Sequence, residues 1–103
     1  MNDSENIFAF IRREVPPPLP IDLSEETDLR YDLRMAEEDA DELLSKFSQE
    51  FHVAPGDFDL TRYFPSEGLW FFGRKRTSPM PLTLGMLLRA ARAGVWNTAT
   101  VES

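Results

Sequence analysis

At 103 residues the chain has material for one domain and not for two, and its 42% hydrophobic content excludes wholesale disorder. Eleven Lys and Arg against eighteen Asp and Glu give a formal charge of -7, which argues against a nucleic-acid binder held by net charge. With no cysteine and a single histidine, His52, the chain lacks disulfides, thiolate chemistry and Cys-based zinc sites, and it has almost no capacity for an imidazole metal site.

The first periodic segment sets Ile7, Phe8, Phe10, Ile11 and Val15 on one side of a helix. Asp3 or Ser4 is its candidate cap, Glu5 lies in its first turn, and Arg12 and Arg13 sit near its carboxyl end, where the dipole favours cations. Pro16 stops it, and the run 16–20, proline except at Leu19, predicts a stiff polyproline-type connector rather than a ligand for a proline-recognising domain. Residues 21–31 read as a long ordered loop in which Ile21, Leu23 and Leu29 need burial and Ser24, Glu25 and Glu26 form a short helical turn.

The strongest element follows. Ala36, Ala40, Leu43, Leu44, Phe47 and Phe51 fall on one helical stripe, and the opposite face carries Glu37, Glu38, Asp39, Asp41 and Glu42. These acids crowd the first turns, where exposed amides and the positive end of the dipole stabilise negative charge. Residues 53–56 end the helix through Pro55 and Gly56, with His52 placed to aid the last carbonyls. Asp57 or Asp59 caps a short turn over 60–64. The aromatic run 69–72 predicts a short strand, with a basic turn at Arg74, Lys75 and Arg76 behind it. Thr83 caps a last helix whose stripe is Leu84, Leu87, Leu88, Ala91 and Val95, and Gly94 marks its end. Residues 97–103 are expected to fray.

The expectation is a single all-α domain over residues 1–103, with its ordered core at about 4–96, built as a four-helix bundle with an aromatic and basic insert before the last helix. The opening lacks a basic start followed by an apolar run, and no apolar stretch is long enough to span a bilayer. A cytoplasmic protein without membrane contact is therefore expected.

That order of elements resembles the acyl carrier proteins. Residue-level similarity lies in 27–51, where Thr27, Leu29, Asp32, Leu33, Arg34, Met35, Ala36, Glu37, Glu38 and Asp39 align with the family's Asp-Leu-Gly-x-Asp-Ser-Leu-Asp approach to its second helix. Glu42 and Leu43, then Glu50, Phe51 and Val53, resemble the remainder of that helix, and Thr83 with Leu84 looks like the start of the family's fourth. In this register Glu37 stands where the phosphopantetheine serine would be. Arg34 replaces the glycine, Ala36 the aspartate and Glu38 the leucine, and a carboxylate cannot accept the phosphodiester. The resemblance implies a carrier-like protein without the prosthetic group, similar also to small uncharacterised bacterial proteins of that fold.

Charge is distributed unevenly. Residues 22–42 carry ten acids and two bases, whereas residues 62–92 carry six bases and one acid. The expected function is non-catalytic binding of a partner protein with a basic patch, through Glu37, Glu38, Asp39, Asp41 and Glu42, with Arg34 and Met35 at the mouth. The plainer reading is a solvated helix face. Two alternatives stay open: a true acyl or peptidyl carrier modified at an unexpected residue, and an acidic nucleic-acid mimic that blocks a nucleic-acid-binding protein. Neither a cofactor nor a metal is expected, since the 32–42 stretch lacks the central glycine of an EF-hand loop and no carboxylate pair is set for acid/base work. Aromatics beside Arg74, Lys75 and Arg76 are the nearest approach to a nucleic-acid signature, and the net charge opposes it.

Overall fold

The structure is a computed structural model and describes residues 3–17, 22–64 and 80–102. Among the described residues there are four α-helices, α1 (Asp3–Glu14), α2 (Glu37–Phe51), α3 (Leu84–Ala93) and a one-turn α4 (Thr98–Val101), with a 3-10 turn at Leu60–Arg62 between α2 and α3. Among the described residues there is no strand, only two isolated bridges, so the chain is predominantly helical. The strand expected at 69–72, the basic turn at 74–76 and most of the proline run lie outside the described residues.

Apolar spacing accounts for how the helices meet. Ile7, Phe10 and Ile11 of α1 and Ala40, Leu43, Leu44 and Phe47 of α2 are buried, as their one-sided spacing predicts. The two helices lock through three rings. Phe10 stands edge-on to Phe51 at 5.6 Å and tilted against Phe47 at 6.3 Å, while Phe47 and Phe51 lie 5.2 Å apart. Helix α3 is apolar over most of its surface, with Leu84, Met86, Leu87, Leu88 and Ala90 buried, and it packs against both α1 and α4.

The loop ahead of α2 is tied to the start of α3. The Leu29 amide donates to Leu82 O at 2.9 Å, Leu84 to Thr27 O at 3.0 Å, and Gly85 to Glu25 O at 2.9 Å. These bonds form the Asp28–Thr83 bridge and bury Leu23, Thr27, Asp28 and Leu29. The loop 21–31 is thus ordered as expected wherever it is described, and the predicted turn is made by Thr27 and Glu26 amides bonding to Ser24.

Several boundaries differ from expectation. Asp3 lies inside α1 rather than ahead of it, and its carboxylate meets Arg92 at 3.3 Å. Ala36 is not on the buried stripe: it is the exposed N-cap of α2. His52 closes α2 with its backbone, adopting φ 57 and donating its amide to Ser48 O. Helix α3 stops at Ala93, because Gly94 turns left-handed at φ 79 and sends Val95 into a parallel bridge with Ala54, leaving it 38% exposed. The segment expected to fray instead forms α4, capped by the Asn97 side chain on Thr100 N and anchored by buried Val101.

Thr83 and Asp59 cap α3 and the 3-10 turn as predicted. Asp57 has a different task, accepting from the Thr98 amide and hydroxyl at the start of α4. The C-terminal turn is also clamped at its far end. Arg62 forks onto the Glu102 carboxylate at 2.6 and 2.7 Å, the Tyr63 hydroxyl donates to the same group, and Arg89 donates twice to Val101 O.

Candidate interaction surface

Helix α2 begins where the loop is bent back on itself. Asp28 O accepts from the Asp32 and Leu33 amides, Leu29 O accepts from Met35, and Arg34 between them holds φ 59. That left-handed residue turns the chain so that Leu33 is buried, Met35 is half-buried and the Arg34 side chain is exposed. The helix then starts on Ala36, which has no side chain to cap the first amides. Three acids, Glu37, Glu38 and Asp39, occupy that uncapped first turn, where the dipole favours them.

All five acids named from the sequence are exposed. Glu42 has a weak partner in Lys46 one turn on, at 3.9 Å, whereas Glu37, Glu38, Asp39 and Asp41 form no ion pair with a described residue. Some charges elsewhere are matched within the fold, Arg13 with Glu14 and Glu50, Lys46 with Glu14 at 3.2 Å, Arg62 with Glu102, and Arg92 with Asp3. The exposed Glu5, Asp22, Glu25 and Glu26 also form no ion pair with a described residue, but they are not crowded on one helix turn. Hydrogen bonds from Arg13 and then Lys46 hold the Glu14 carboxyl below the usual range, against the opposing effect of burial.

A cleft of about 280 Å³ opens beside this helix. Its lining combines the apolar Val15, Pro16, Leu33, Met35 and Leu43 with the charged Glu14, Asp39, Glu42 and Lys46. The structure therefore gathers Met35, Asp39 and Glu42 of the predicted face at one cavity. Arg34, Glu37, Glu38 and Asp41 lie outside its lining. Sequence reasoning missed Glu14 and Lys46. Lys46 was within reach, since Glu42 and Lys46 stand four residues apart on one helix; Glu14 comes from another helix and no local pattern points to it.

Among the described residues no three His, Cys, Asp or Glu side chains are grouped to hold a metal ion, and no helix is long and apolar enough to cross a membrane. Residues 2–98 match the family model described as "Protein of unknown function (DUF1493)". The chain belongs to this family. No curated protein and no solved structure matches it.

This assignment corrects the acyl carrier resemblance. The family that covers nearly the whole chain is an uncharacterised one without a link to those carriers. The shared features were an order of elements and a short, degenerate match over 27–51, much of it an apolar stripe and first-turn acids that any amphipathic helix following a loop can show. With the resemblance goes its reading of Glu37 as a replaced serine, whereas the all-α character of the fold stands.

Proposed function

We propose that this protein is a binding module that docks the exposed acidic face of α2 onto a basic patch of a partner protein and works by association rather than catalysis. One observation carries the reading: Glu37, Glu38, Asp39 and Asp41 are all exposed and form no ion pair with any described residue, so their field is directed outward. Four carboxylates over five residues, unpaired among the described residues, attract an oppositely charged surface and speed encounter, with a rate that falls as salt rises. Helix α2 is anchored by its buried Ala40, Leu43, Leu44 and Phe47, which turns the acids toward solvent.

The test uses the protein as bait in its native cell extract, with the charge-reversed Glu38→Lys/Asp41→Lys variant as the matched control. A protein retained by the first and lost with the second is purified, and its association rate is measured at rising salt. Support is a rate that drops at least about tenfold between low and physiological salt. A partner held equally by both baits, or a rate indifferent to salt, overturns the reading.

A further inference from the structure

The cleft beside α2 is lined unlike the rest of the acidic face. Its lining brings the apolar Leu33, Leu43 and Met35 together with Asp39 and Glu42, which stand three residues apart and so on one side of the helix. A cation already sits at its edge: the Lys46 ammonium lies 3.2 Å from Glu14 and 3.9 Å from Glu42. Glu14 is taken by this contact and by Arg13, whereas Asp39 forms no ion pair with a described residue. At about 280 Å³ the space is smaller than the about 300–1,000 Å³ usual for small-molecule pockets, and suits one long side chain.

We infer that this cleft is an anchor site for a single arginine side chain of the partner, its stem lying on Leu33 and Met35 and its guanidinium shared by Asp39 and Glu42. The inference rests on the docking role of α2 and names the group recognised there. Arginine fits better than lysine. Its planar fork reaches two carboxylates at once, its weakly hydrated head tolerates an apolar wall, and its stem covers hydrocarbon while the charge stays at the rim. Lys46 competes for Glu42 and repels the incoming charge, so it weakens the site while the anchor is absent.

The test is an amide-shift titration of the full chain with N-acetyl-arginine methylamide, using the neutral citrulline counterpart as control. The arginine compound is expected to shift the Leu33, Met35, Asp39 and Glu42 amides saturably, with a Kd on the order of millimolar, and the citrulline compound is not. Lys46→Gln should tighten binding about threefold, and Asp39→Asn or Met35→Ala should weaken it by a similar factor. Shifts scattered over all acidic residues, or a Lys46→Gln variant that binds no better, overturn the cleft. If the partner complex responds to reversal of Glu38 and Asp41 while the arginine compound leaves the cleft unmoved, docking stands and the anchor falls. Arginine binding in the cleft, with a partner indifferent to that reversal, removes the docking role alone.

Discussion

Gly56 holds φ 54, and a Cβ there would stand 1.9 Å from the Trp96 carbonyl oxygen. That oxygen accepts from Asp57 N at 3.3 Å, while Trp96 N donates to Ala54 O at 2.9 Å, so one glycine lets two distant segments meet backbone to backbone. Gly56→Ala is expected to cost about 2 kcal/mol or more in denaturant unfolding, because the clash is with backbone and the left-handed conformation is strained as well. A loss under about half that would mean the two segments separate freely. His52 presents the converse case, a side-chain-bearing residue at φ 57 closing α2 with its backbone amide. His52→Gly should raise stability by about 0.5–1 kcal/mol, as the left-handed position at a helix end favours glycine. Unchanged or lower stability would show that the imidazole contributes something the backbone does not.

Between elements, the α1–α2 contact depends on the three-phenylalanine cluster, with Phe47 1% exposed at its centre. Phe47→Ala is expected to lower unfolding free energy by about 3–5 kcal/mol, a large share of a domain's total of about 5–15. A loss near zero would place the core elsewhere. This stripe was legible from the sequence, because Ala40, Leu43, Leu44 and Phe47 repeat at helical spacing and nothing distant is needed to read it. The approach to α2 was legible only in part. Burial of Leu23 and Leu29 followed from their apolarity, but the bonds from Leu29, Leu84 and Gly85 join positions more than fifty residues apart. Local pattern carries no such information. For the same reason the acids of the interaction surface were found, whereas the cleft was not: it exists because Glu14 of α1 lies beside Lys46 of α2. Val95 misled for a related reason, having the right spacing for α3 although Gly94 had already ended the helix.

Across the whole molecule, the two ends of the described chain are held by charge. Asp3 meets Arg92, and Glu102 receives Arg62 and Tyr63. Hydrogen bonding from Arg62, with a smaller contribution from Tyr63, holds the Glu102 carboxyl below its usual range in spite of burial. The folded value is thus lower than the unfolded value of about 4.3, so the stabilisation is present above that pH and is lost as pH falls through the folded value. Burial, then the bond to Glu102, pushes the Tyr63 hydroxyl up, which adds a loss at the alkaline end as pH rises past the unfolded value of about 10. Glu102→Gln keeps an acceptor for Tyr63 but removes the charge. The variant should melt lower than the wild type at neutral pH, and the gap should narrow on acidification to about pH 2. A gap that stays constant in thermal melts across that range would remove the ion pair from the account of acid stability.

The uneven charge of the whole chain bears on function only if position matters beyond the total of -7. The decisive measurement is therefore a titration of the captured partner with three proteins: the wild type, Glu38→Lys/Asp41→Lys on α2, and Glu5→Lys/Glu26→Lys, which reverses two exposed acids outside it. Both variants carry the same net charge. The account predicts that the α2 variant binds at least about tenfold more weakly while the other stays within about threefold of wild type. Equal weakening by both variants, or no weakening by the first, would contradict it.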